Sequence, residues 1–99
     1  MEYYFYKNDI EFIILENETV SYQEHNHSTM YVMGIVLAGN VDVCMKEIEC
    51  SYTKNQYFII PLLAMHTMRI EDKLARLLLI CIKESFLERD RGNGFSILL

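Results

Sequence analysis

Residues 25–39 read HNHSTMYVMGIVLAG, and the fold turns on how this stretch is read. From Tyr31 to Ala38 both alternate sets are apolar: Tyr31, Met33, Ile35 and Leu37 on one side, Val32, Gly34, Val36 and Ala38 on the other. The run is strand length, and such a strand is covered on two faces. Gly39-Asn40 follows. Glycine at the first central position accepts the positive φ of a type II′ turn, so the expectation is a hairpin that returns along Val41 to Met45. At the other end stand two histidines one residue apart. On an extended chain residues i and i+2 point to the same side, so His25 and His27 share a face.

The same pattern continues on either side. Tyr3 to Tyr6, Ile10 to Leu15 and Thr19 to His25 are short aromatic and β-branched runs separated by the turn-like KND and ENE. Four aromatics in a row, Tyr3, Tyr4, Phe5 and Tyr6, suit an edge strand or an interface. Lys46-Glu47 divides Val41 to Met45 from Ile48 to Tyr52, and Lys54-Asn55 precedes Tyr57 to Ile60. Pro61 then stops pairing because it has no N–H. His66 to Ile70 and Ala75 to Ile82 are expected as a last hairpin around EDK. Ser85 to Glu88 fits a capping box, so a short helix is expected there, and the glycines of RDRGNG end it. About nine short strands with turn signals between them predict an all-β sandwich or barrel.

Ninety-nine residues make one domain, large enough to bury roughly two-thirds of the surface of its unfolded chain. Half the residues are hydrophobic, which excludes a disordered chain, and no apolar run reaches the roughly 18 residues that span a bilayer. The N-terminus MEYYFYKNDI has neither the basic start nor the apolar stretch of a signal peptide, so a cytoplasmic protein is expected. Cys44, Cys50 and Cys81 form no C-x-x-C pair; they suit a reducing compartment and read as small buried apolar residues. The net charge is −5 and the nine basic residues are scattered, so this segment is not expected to bind nucleic acid. Glu47 and Glu49 alternate with Ile48 and Cys50 as on a solvated strand face, and no nucleophile–histidine pairing follows from spacing.

The only histidines are His25, His27 and His66. Imidazole suits zinc, iron, copper or nickel, and a third ligand from a distant strand would complete a three-histidine set with positions open to substrate. Spacing alone favours the plainer reading, in which a histidine at a strand end hydrogen-bonds a loop carbonyl. If the pair points inward with Val32, the inner face of the following strand is Val32, Gly34, Val36 and Ala38, small side chains that leave room for a ligand unless neighbouring strands fill it. Tyr31, Met33, Ile35 and Leu37 then face away and need cover from another sheet, the Ser85 helix or a second subunit.

Over residues 20–85 the chain resembles the cupins. Their first motif is H-x-H, three or four residues, glutamate, six residues, glycine; here His25 and His27 are followed by Val32 and Gly39. Their second is glycine, five residues, proline, any residue, glycine, two residues, histidine; here Asn55, Pro61, Leu63 and His66 hold those places. Val32 stands where cupin enzymes carry a metal-binding glutamate, and Leu63 replaces a loop glycine. Asn55 for glycine is the milder change, since asparagine tolerates left-handed backbone. The phrasing HNHSTMYVMGIVLAG and YFIIPLLAMH is most similar to the N-terminal effector-sensing domain of AraC-type transcription regulators, a branch that commonly lacks the glutamate.

The resemblance implies a cupin double-stranded β-helix, a jelly-roll barrel over residues 1–84, with a short helix and the start of a linker over 85–99, the linker beginning near Gly92-Asn93-Gly94. It implies a non-catalytic domain that binds a small-molecule effector and forms a homodimer, with DNA contacted through a C-terminal helix-turn-helix part absent from this chain. The motif places His25, His27, Val32 and His66, together with Gly34, Val36 and Met68 that alternation sets on the same inner side, are the residues expected to line the ligand site. The cofactor is left open. His25, His27 and His66 are the candidate ligands of a divalent transition metal, and the alternative is a free-standing metal-dependent cupin enzyme, an isomerase or dioxygenase.

Overall fold

The computed structural model describes residues 2–7, 9–16, 19–25 and 29–86, with side chains described for residues 9–16, 19, 21 and 29–86. Nine strands are found among them: β1 (Glu2–Lys7), β2 (Ile10–Glu16), β3 (Val20–His25), β4 (Met30–Ala38), β5 (Asn40–Met45), β6 (Ile48–Thr53), β7 (Tyr57–Ile60), β8 (His66–Ile70) and β9 (Arg76–Lys83). They form two facing antiparallel sheets, one of five strands in the order β1-β2-β9-β4-β7 and one of four in the order β3-β8-β5-β6. This is the expected jelly roll. A helical turn at residues 84–86 follows β9, and its first residue is Glu84, so Ser85 lies inside the turn and not ahead of it. The Gly92-Asn93-Gly94 linker expectation lies outside the described residues.

Both expected hairpins at Gly39-Asn40 and around EDK are corrected. Gly39 does take a positive φ of 73°, yet it carries the chain from β4 in one sheet to β5 in the other. The loop at residues 71–75 crosses between sheets in the same way, from β8 to β9. Turn residues set a local reversal, whereas the partner is chosen by the sheet: β9 and β7 occupy the two edges of β4, and β3 and β5 those of β8. The two corners pack together. A Cβ on Gly39 would lie 2.6 Å from Asp72 Oδ2 and 2.7 Å from Ala75 Cα. The hairpins that do form are β1–β2 and β5–β6. In the latter, Lys46 and Glu47 have φ of 51° and 66°, the both-positive signature of a type I′ turn that asparagine and glycine usually occupy.

Alternation gives each sheet an inner and an outer face. Leu15, Val32, Val36, Phe58, Leu77, Leu79 and Cys81 point inward from the five-stranded sheet and meet Val41, Val43, Met68 and Ile70 from the other. The outer faces differ in chemistry. That of the four-stranded sheet is polar: Arg69 pairs with Glu49 and Glu71, each at 3.2 Å, and reaches Asp42 at 4.0 Å.

The outer face of the five-stranded sheet is apolar in register. Ile80 on β9 stands between Phe12 of β2 and Met33 of β4, with Ile59 of β7 beyond Met33. The flanking rows are Ile14, Leu78, Ile35 and Tyr57, and Ile10, Ile82 and Tyr31. At one margin Arg76 bonds Glu16 at 3.1 Å. The edge position expected for the N-terminal aromatics is found, since β1 ends the sheet order.

Candidate functional site

Strand β8 starts at His66, whose parity with Met68 and Ile70 turns it inward. It is 3 % exposed, the one buried polar side chain beside the core among the described residues. Burying an imidazole requires a partner for its N–H. A carbonyl oxygen can only accept, so Nδ1–H donates to that of Ala64 at 2.9 Å, and this bond orients the ring. This is the arrangement in which a histidine is oriented to accept a hydrogen bond or to ligate.

The backbone ladder brings a second histidine to the same row. His25 of β3 is the register partner of His66, and Met45 of β5 is its partner on the other side. Regular pairing would not do this. Val20, Ser21 and Tyr22 pair with Ile70, Arg69 and Met68, and continuing that count would set Glu24 opposite His66. A one-residue shift between Tyr22 and His25, a β-bulge, moves His25 there instead. His27 lies outside the described residues, as does the side chain of His25.

The mouth beside His66 is a cleft of about 450 Å³ lined by Cys44, Lys46, Glu47, Leu63, Ala64, Met65 and Thr67 in addition to the histidine. It is formed by the β5–β6 turn and the β7–β8 loop, two segments that meet only because their strands lie in this sheet order. Lys46, Glu47 and Met65 were not legible as site residues: no spacing in the sequence links the two loops. The loop backbone retains the motif geometry without its glycines. Asn55 has a φ of 73° and Leu63 a φ of 63°, both left-handed, at the two places where cupins have glycine.

Val32, Gly34, Val36 and Met68 all face inward and are buried. A Cβ on Gly34 would meet the Phe58 ring, so the space the small residue leaves is taken by its neighbour on β7. Phe58 in turn lies against Tyr52, with ring centroids 5.1 Å apart. Val32, 5 % exposed, puts an apolar side chain where a metal site of this type has its carboxylate. Among the described side chains no group of three or more His, Cys, Asp or Glu is placed to hold a metal ion. His66 thus fits an imidazole ligand role, while position 32 does not fit a carboxylate one.

The cysteines differ from one another. Cys81 is buried on the inner face, and burial, with a smaller contribution from the Glu11 carboxylate, pushes its thiol up to about 11. Cys44 is half-buried. Cys50 is exposed on edge strand β6, contrary to the expectation of three buried apolar thiols. Tyr52 beside it is shifted upward by burial and then by Cys50. No helix among the described residues is long and apolar enough to cross a membrane.

No protein-family model matches the chain, and no curated protein is significantly similar in sequence. Solved structures are similar in fold. The cupin domain of Cnp3 from Schizosaccharomyces pombe superposes with a TM-score of 0.71 at 13 % identity, over 98 % of this chain and 72 % of that one. KdgF from Halomonas sp. gives 0.70 at 16 % identity over 87 % and 82 %. A cupin-2 domain protein from Shewanella frigidimarina gives 0.68 at 16 % over 81 % and 78 %. The fold is that of cupin domains.

Proposed function

We propose that this cupin domain is the effector-sensing and dimerisation domain of an AraC-type transcription regulator, taking a small molecule at the barrel mouth without catalysis. The observation that carries the reading is the buried, carbonyl-held His66 beside a cleft, together with a valine at position 32 on the facing sheet. An imidazole held by a carbonyl offers a directional hydrogen bond to a ligand, and Lys46 and Glu47 add charge of either sign at the rim.

The reading is tested by a thermal-shift screen of small metabolites against the wild-type chain and His66→Ala. A compound that raises the melting temperature of the wild type and fails to do so in the variant supports it; a screen in which every hit acts equally on both counts against His66. Reading the coding sequence beyond Leu99 tests the regulator assignment separately, because a helix-turn-helix pair is required there.

One observation favours a second reading, a small metal-dependent cupin enzyme. The bulge in β3 sets His25 opposite His66, the backbone arrangement that a shared ligand needs. Elemental analysis of protein purified without chelator decides it. About one equivalent of a transition metal, lost in His66→Ala, favours the enzyme; metal well below that, unchanged by reconstitution, favours the sensor.

A further inference from the structure

We infer that the cleft beside His66 takes an amphiphile without net charge, whose apolar part lies on Leu63 and Met65. The inference rests on the sensing reading above and adds the chemical class of the effector. It starts from the backbone. The Ala64 N–H bonds the Pro61 carbonyl at 3.4 Å, closing a turn in which Leu63 is the third residue, with a φ of 63°. That place in a type II turn calls for glycine or asparagine. A leucine is held there against strain and is not buried in return, since 63 % of it is exposed. Met65 is exposed as well, whereas Ala64 between them is buried and its carbonyl holds the His66 ring. Strain kept at an exposed apolar residue beside a cleft marks a position retained for contact with something outside the fold.

The rest of the lining decides the polarity of the ligand. Lys46 and Glu47, consecutive in the β5–β6 turn, bring one charge of each sign, and His66 and Thr67 bring hydrogen-bonding groups. A singly charged ligand gains from one rim residue what it loses to the other, and it gives up hydration on entry. A neutral head that hydrogen-bonds avoids both losses. Leu63, Ala64 and Met65 form the apolar side of the cleft, and the flexible thioether of Met65 adapts to tails of different shape. The volume of about 450 Å³ falls in the range of small-molecule sites.

An NMR titration of the 99-residue chain with 4-phenylbutanamide, 4-phenylbutanoate and 4-phenylbutylamine, which share one tail and differ in the charge of the head, tests this. The amide is expected to bind about fivefold more tightly than either ion. Leu63→Gly should weaken the amide roughly tenfold, the loss of a partly covered leucine contact. The same change relieves the backbone, so binding falls while the melting temperature does not, a separation that a purely structural role for Leu63 would not produce. Leu74→Ser, at another exposed leucine beyond the far end of β8, should leave binding unchanged. An ion that binds as tightly as the amide, equal binding of the amide by the wild type and folded Leu63→Gly, an equal loss in Leu74→Ser, or no binding of any of the three compounds overturns the inference. The sensing reading stands or falls separately: a metabolite of another class that stabilises the wild type and not His66→Ala upholds it, and the lack of any such metabolite counts against it.

Discussion

Gly34 and Phe58 are paired directly across β4 and β7, and the ring of one occupies the volume that a side chain on the other would need. The small residue in β4 therefore serves packing of its neighbour. Gly34→Ala should destabilise the fold by about 2 kcal/mol, the usual cost of forcing an extra carbon into a filled core. A lower urea midpoint at unchanged m-value would register it. Phe58→Leu should relieve the clash, so the double variant loses less than the two single losses added together.

Leu63 holds a left-handed backbone at an exposed loop position. A branched L-residue there costs roughly 1–2 kcal/mol, more than the entropy that glycine adds to the unfolded chain. Leu63→Gly should stabilise by about 0.5–1 kcal/mol and raise the melting temperature by a few degrees. An unchanged or lower melting temperature would mean that the exposed side chain contributes contacts that outweigh the strain.

Cys81 makes stability fall in alkali. Its thiol is raised to about 11 in the folded protein against 9.0 for a free one, so between those values the native state keeps a proton that the unfolded state releases. The contribution is fully present below pH 9 and is lost as pH rises towards 11, amounting to about 3 kcal/mol. Urea titrations across that window should show the loss in the wild type and a flatter profile in Cys81→Ala. The same burial predicts that a thiol reagent labels Cys50 first and Cys81 only on unfolding.

Arg69 bridges Glu49 and Glu71 and reaches Asp42, but all four lie on the wet outer face. Exposed pairs are screened and hold long side chains in place at an entropic cost. Arg69→Ala should change stability by less than about 1 kcal/mol. His66→Ala, by contrast, removes a buried ring and leaves the Ala64 carbonyl without its donor, and should cost about 2 kcal/mol in the same assay.

Strand positions were legible in the sequence because alternation and punctuation are local. Tyr57 to Ile60 and His66 to Ile70 match residue for residue, and the others differ by one residue, at one end or, for β1 and β9, at both. Pairing was not legible. Gly39-Asn40 signals a tight reversal whether the next strand returns beside β4 or crosses to the facing sheet, and only the competition of β7 and β9 for the edges of β4 decides. The same limit applied to the site. Parity put His66 on the inner face, but the roominess suggested by Val32, Gly34 and Val36 depended on which ring stood opposite, and Phe58 comes from a strand more than twenty residues away.

The extra residue accommodated between Tyr22 and His25 has a consequence for how this site can change over time. Drop one amino acid from that short interval and the ladder simply closes up, with His25 still opposite His66; let the kink slide out instead and Glu24 arrives there. A lineage could thus exchange an imidazole for a carboxylate at that place in the ladder by moving the bulge alone, at unchanged chain length and without replacing any hydrophobic residue that holds the two sheets together.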